Sequence, residues 1–156
     1  MASTLRFRNL NVSPDDPVET WPFEGILAAL ERGTLPDWRR IVSAIEKDPW
    51  GPVARQVEEA ISMELPSGVA PLFRTAIARS RAQAVEDERR AVAAEISVLL
   101  ARSGLRLAEL AERTGTSASR FSTYRSGKVT PSAAMLVRIR NVVERIESAR
   151  RAESTT

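Results

Sequence analysis

The sequence predicts an all-α protein, and three observations carry that prediction. Apolar residues return at the i, i+3, i+4, i+7 spacing of an amphipathic helix in one segment after another. Glycines and prolines fall between these segments, where helices start and stop. No alternating strand pair is convincing beyond residue 12. The 156 residues, 43% hydrophobic and 28% charged, suffice for a buried core. They suit one domain, or a small domain with a helical extension.

Residues 1–20 read as irregular. LRFRNLNV fits a short strand or an arm, and SPDDP a turn. Arg6 and Arg8 either belong to a basic arm that touches DNA or to a chain end tied onto its own domain. Thr20 is placed to cap a helix running to about Arg32, with Pro22 in its first turn and Gly33 after it. Its apolar stripe is Phe23, Ile26, Leu27 and Leu30. A second helix, between Pro36 and the turn DPWGP, repeats the spacing with Trp38, Ile41, Val42 and Ile45. A third, from about Pro52 to Met63, presents Val53, Val57 and Ile61. Two similar helices do not make a repeat array. Trp21, Trp38 and Trp50 either line an apolar pocket for a small effector or belong to the core, the commoner use of such rings.

The longest stretch without Gly or Pro, Leu72–Ser103, fits one long helix or two in tandem, with a break or exposed connector expected in AQAVEDERR. Val85, Val92 and Leu99 recur every seven residues with Ile96 beside them, which suits a coiled-coil seam or ordinary packing against the region that follows. The division expected is a helical N-terminal domain over 1–80, suited to dimerisation or partner binding, and a second domain over 81–156.

Composition narrows the function classes. The chain has no Cys and no His, which removes disulfides, thiol nucleophiles, thiolate zinc sites and Ser-His-Asp triads. Carboxylates such as Asp15, Asp16 and Asp37 show no metal-binding spacing, so no enzyme, metal or cofactor is expected. Lys128 has no feature that would make it a base for the serines. No apolar run reaches the roughly 18–20 residues of a membrane span, and MASTLRFRNL lacks the apolar centre of a secretory signal. A cytoplasmic, nucleoid-associated protein without a membrane partner is expected. Charge is uneven: residues 1–80 hold nine basic and eleven acidic side chains, residues 81–156 fourteen and nine. Within 103–140, Arg106, Arg113, Arg120, Arg125, Lys128, Arg138 and Arg140 face only Glu109 and Glu112. A polyanion at that end and a solubilising surface both fit.

From residue 96 the chain reads ISVLLARSGLRLAELAERTGTSASRFSTYRSGKVTPSAAMLVRIRNVVERI. Ile96, Leu99 and Leu100 end one helix, which Gly104 stops. A short helix over Leu107–Arg113 presents Leu107, Leu110 and Ala111. Gly115 permits a sharp turn, and Thr116 or Ser117 caps a helix over 117–125. Phe121 and Tyr124 anchor that helix. After a loop with Gly127, Thr130-Pro131 opens a last helix striped with Met135, Leu136, Ile139, Val142, Val143 and Ile146. Ala111 lets two steeply crossing helices approach, leaving the 117–125 helix protruding with Ser117, Ala118, Ser119, Arg120, Ser122, Thr123 and Arg125 outward. Short polar side chains on one helix suit the major groove.

SGLRLAELAERTGTS…FSTYRSGKVTPS…L resembles the Cro/cI-type (XRE-like) helix-turn-helix family of phage repressors and bacterial regulators, over about Arg89 to Ile146. The resemblance implies a lambda-repressor-like DNA-binding domain. It puts Ser117, Ala118, Ser119 and Thr123 at base edges, with Arg120 beside them as a further base contact, and Ser126, Gly127 and Lys128 at phosphates. Thr116, Ser122 and Arg125 are expected as further phosphate contacts, and Arg106 as a direct ion contact in place of a lost family contact. Three positions depart from the pattern. Arg106 and Leu107 stand where the family has Ser, Thr or Asn and then Gln, and Phe121 replaces a smaller Ile or Val. Arg138 and Arg140 suit a solvated face as well as phosphate. The function expected is sequence-specific binding of double-stranded DNA by a transcriptional regulator acting as a homodimer. Its dimer contacts would come from the N-terminal helices or the 72–102 segment rather than the last helix. The alternative is an antitoxin or adaptor whose N-terminal region binds a partner protein while the helix-turn-helix autoregulates its operon.

Overall fold

Hydrophobic periodicity becomes helix throughout the computed structural model, which describes residues 4–156. Seven α-helices follow a single 3-10 turn at Val18–Thr20, and no strand occurs among the described residues. The helices are α1 (Phe23–Arg32), α2 (Leu35–Lys47), α3 (Pro52–Ile61), α4 (Val69–Ser103), α5 (Leu107–Arg113), α6 (Ala118–Ser126) and α7 (Ala133–Ser154). Two compact units result, the first ending at Val85 and the second spanning Glu86–Thr156.

In the first unit α1, α2, α3 and the start of α4 enclose a core of Trp21, Ile26, Leu30, Ile41, Ile45, Val57 and Phe73, with smaller residues between them. Thr20 does not cap α1. It closes the 3-10 turn, its hydroxyl donating to the Pro17 carbonyl at 2.6 Å, and Pro22 precedes the helix instead. The chain bends here to bury Val18 and Trp21, and that burial outweighs a cap contributing about 1 kcal/mol. The α2 start is fixed by Asp37, whose carboxylate accepts from the Thr34 N–H at 2.9 Å and its hydroxyl at 3.0 Å. SPDDP forms the expected turn, with Ser13 N–H donating to Asp16 Oδ2 at 2.8 Å.

The tryptophans divide. Trp21 and Trp38 serve the core, donating their indole N–H to the carbonyls of Asp16 (3.0 Å) and Ala29 (2.8 Å). Trp50 lies exposed, with the Arg81 guanidinium 5.9 Å from its ring centre. The arm of residues 5–8 is tied down: Leu5 is buried and Phe7 meets the Trp21 ring edge-on at 5.0 Å.

Helix α4 runs unbroken through AQAVEDERR. Ala, Gln, Glu and Arg are good helix formers, and Glu86 pairs with Arg90 one turn on at 3.4 Å, so a polar run without Gly or Pro continues a helix as readily as an apolar one. The run is exposed from Asp87 to Ala91. Val85 is exposed, while Val92, Ile96 and Leu99 pack in the second unit's core, which identifies ordinary packing rather than a seam through all three heptad positions. No helix among the described residues is long and apolar enough to cross a membrane.

Candidate nucleic-acid interface

The second unit has a small core: Ile96 and Leu99 from α4, Leu110 and Ala111 from α5, Phe121 and Tyr124 from α6, Ile139 and Val143 from α7. Everything that follows depends on how α5 is turned into α6. At the end of α5 the Gly115 N–H donates to the Glu112 carbonyl and the Thr116 N–H to the Ala111 carbonyl, at 3.1 and 3.0 Å. This paired closure needs a left-handed residue between them, and Gly115 supplies it at φ +77°. Thr114 is fully buried and spends its hydroxyl on the Leu110 and Ala111 carbonyls (2.9 and 3.0 Å). From α7, Arg138 reaches across to donate to the Thr114 carbonyl at 3.2 Å. The turn is therefore held from both sides.

Ser117 then caps α6, its hydroxyl oxygen accepting from the Arg120 N–H at 3.1 Å. The helix begins one residue after the cap and ends at Ser126. Its two rings point inward, Phe121 at 0% and Tyr124 at 4% exposure, with centroids 6.4 Å apart. Ser117, Ala118, Ser119, Arg120, Ser122, Arg125, Ser126 and Lys128 are exposed; Thr116 and Thr123 are half-buried. Gly127 takes the left-handed region at φ +81°, and the Val129 N–H returns to the Thr123 carbonyl at 3.1 Å, so the loop carrying Lys128 folds against the end of α6. Pro131 is not in the first turn of α7. It is buried ahead of it, and Ser132 caps the helix by accepting from the Met135 N–H at 3.1 Å.

The basic residues differ in what they are free to do. Arg106 precedes α5 without capping it and pairs with Glu109 at 2.9 Å, although its side chain is 90% exposed. Arg140 grips Glu95 through two hydrogen bonds, at 2.6 and 3.0 Å. The hydrogen bond and charge of Arg140 hold the Glu95 carboxyl below its usual range against partial desolvation, and the guanidinium is in turn held more firmly protonated. Arg102 and Glu147 make a matching pair at 2.5 Å, with the same opposed shifts driven first by their hydrogen bond. Arg113, Arg125 and Lys128 have no carboxylate partner among the described residues. Arg120 has none either, but its Nε donates to the Tyr124 hydroxyl at 2.9 Å. The i, i+4 spacing of Arg120 and Tyr124 held that signal in the sequence. Nothing local in the sequence paired Arg140 with Glu95 or Arg138 with Thr114, since those partners stand far apart along the chain.

Asp15, Asp16 and Asp37 are not assembled into a site: Asp16 and Asp37 serve the turn and cap described above, and Asp15 donates its N–H to Ser13 at 3.2 Å. Compared with protein-family models, with curated proteins and with solved structures, the chain matches none.

Proposed function

We propose that α5, its turn and α6 form a helix-turn-helix that reads double-stranded DNA, and that the protein is a sequence-specific transcriptional regulator. One observation carries the reading: α6 buries two rings and presents the rest of its first two turns as short polar side chains and arginines. A helix used only for packing gains nothing from such a face. The major groove, about 12 Å wide, accepts a helix whose small side chains allow close approach and whose donors and acceptors meet base edges.

In this reading Ser117, Ala118, Ser119 and Thr123 lie nearest the bases. Arg120, whose Nε donates to the Tyr124 hydroxyl, would use its terminal nitrogens for a bidentate contact with guanine. Thr116, Ser122, Arg125, Ser126 and Lys128 meet the flanking phosphates, which fix register without carrying sequence. Arg106 is the weakest member of the set because Glu109 already neutralises it. One short helix contacts only a few base pairs. A homodimer with reading helices about 34 Å apart supplies the missing affinity.

The test titrates Arg120→Ala and Lys128→Ala against an operator selected from random duplexes and against a scrambled duplex, at several salt concentrations. Arg120→Ala weakens operator binding by about 1–3 kcal/mol and relaxes preference at one base position. Lys128→Ala weakens binding to both duplexes and lowers the salt slope by about one phosphate contact. If neither substitution alters binding, α6 is not the reading element.

A further inference from the structure

The first unit carries a second concentration of positive charge, remote in sequence from α6. Exposure alternates along the arm: Leu5 is buried, Arg6 exposed, Phe7 half-buried and Arg8 exposed. The arm thus buries its two apolar side chains and leaves both guanidiniums exposed. The arm is well fixed for a chain end. Phe7 packs on Trp21 and against α1 at Gly25, where an added β-carbon would stand 3.2 Å from the ring. Asn9, at φ +56°, then turns the chain away in a conformation that asparagine tolerates better than most residues. Arg32, in the last turn of α1, completes the group.

Together Thr4, Leu5, Arg6, Phe7, Arg8 and Arg32 line a cavity of about 480 Å³. No carboxylate lines it, and none of the three guanidiniums has a partner among the described residues. Two other arginines of this unit are engaged, Arg40 with the carbonyls of Pro14 and Asp16 and Arg81 with Glu58, whereas Arg6, Arg8 and Arg32 share one cavity wall. Three like charges left uncompensated around one cavity repel one another, and an anion between them removes the repulsion.

We propose that this cavity is a binding site for a small phosphorylated molecule, its phosphate held by Arg6, Arg8 and Arg32. Guanidiniums match phosphate oxygens through paired N–H donors. The cavity falls within the roughly 300–1,000 Å³ range of small-molecule sites. The hollow is about half open to solvent, so a small anion can enter it from outside.

The experiment is calorimetric titration of the full chain with pyrophosphate, using sulfate as a reference anion. One saturable site per chain is expected. The double substitution R6Q/R8Q and the single substitution R32Q should weaken it by about tenfold per guanidinium, while Arg39→Gln and Arg120→Ala bind as the unsubstituted protein does. Unchanged tryptophan emission and circular dichroism confirm that each variant is folded, and Arg32→Gln tests the site if the arm variant is not. Absence of saturable pyrophosphate binding, or equal binding by R6Q/R8Q and R32Q, overturns the proposal. So does a result in which R6Q/R8Q weakens duplex binding while pyrophosphate does not bind, which would make the cluster a DNA-backbone contact. The α6 titrations are separate, so either reading can fail without the other.

Discussion

The two units solve the same folding problem with different means. Among the described residues, the first buries sixteen apolar residues in its core cluster and the second eight. In the first, polar groups are recruited inward: two indoles and the Arg40 guanidinium bond to backbone carbonyls. In the second, α6 leaves most of its surface bare, so its helices contribute less to the core. Stability there leans on a glycine turn, a buried threonine and ion pairs between α4 and α7. An exposed helix face costs burial, because a side chain turned to solvent cannot also pack against its own domain.

The sharpest way to break this comparison is to remove one large ring from each core. Phe73 and Phe121 are both fully buried, and truncation of such a ring to Ala costs about 3–5 kcal/mol. The chain carries its own reporters: Trp21, Trp38 and Trp50 all lie in the first unit, and Tyr124, the sole tyrosine, lies in the second. Phe121→Ala should remove helical circular dichroism at a denaturant concentration where tryptophan emission is still native. Phe73→Ala should shift the tryptophan transition first. Transitions that coincide in both variants would mean that α4 couples the units into one cooperative structure, and the contrast would be lost.

A second test separates arginines that hold structure from arginines offered to a ligand. Arg40 lies over the Trp21 ring at 5.2 Å and donates to two backbone carbonyls. Arg40→Ala should lower the first unit's stability by about 1–2 kcal/mol, the lower part of the range for charge-assisted bonds because the side chain is half-exposed, and leave operator binding unchanged. Arg120→Ala should do the reverse, costing binding about 1–3 kcal/mol with little change in unfolding midpoint. Loss of stability alone in the Arg120 variant would make it a partner of Tyr124 and nothing more.

What could be read in the sequence follows the range of the interactions. The helices expected to about Arg32, over 107–113 and over 117–125 are legible from apolar spacing, glycines and a serine cap, all of which act within a few residues, and they form at 23–32, 107–113 and 118–126. The outward face of α6 was legible for the same reason: once Phe121 and Tyr124 point in, the remaining side chains point out. The start of α1 was misread because Trp21 and Val18 are drawn into a core formed with distant helices, and that burial overrides a local cap. The start of α7 was misread because proline and serine both suit a helix start, and only packing decides which one enters the core. The continuity of α4 was open because a polar run is silent about whether a helix ends. Only Gly or Pro would have spoken. The clamp from Arg138 to Thr114 spans 24 residues and the Arg140–Glu95 pair spans 45, and nothing local to either partner announces such contacts.

A smaller effect is expected where the two units use glycine. Gly115 stands at positive φ with open space around it, the nearest atom to an added β-carbon being Arg138 Nη1 at 3.6 Å. Gly115→Ala therefore costs only the backbone penalty of the left-handed region, about 1–2 kcal/mol, seen as a lower midpoint of the circular-dichroism transition. Gly25 is an ordinary helical residue, where alanine should improve local propensity by about 1 kcal/mol but presses on Phe7 and Trp21 at 3.2–3.3 Å. Its effect should appear as altered tryptophan emission rather than as a loss of helix. A Gly115→Ala variant as stable as the parent would remove the turn from the list of features that hold the second unit.

The smallest effect expected in the second unit is its response to acid. Glu95 and Glu147 have their pKa values lowered from the ordinary 4.5, in each case first by the hydrogen bond to Arg140 or Arg102. A carboxylate whose folded pKa is depressed takes up protons more readily in the unfolded chain. Its contribution is therefore complete above about 4.5 and is lost as pH falls below that value toward the lowered one. Unfolding followed by circular dichroism at pH 7, 5 and 3.5 should show the second unit keeping its midpoint between the first two and losing part of it at the third. The double variant Glu95→Gln/Glu147→Gln should begin lower and change less over the same interval. Added salt should narrow the difference at pH 7, since both pairs are partly solvent-exposed and screened. Parallel acid profiles for the two proteins would show that the pairs seen between α4 and α7 do not help hold the unit together. The small core and the buried turn would then have to support the second unit alone.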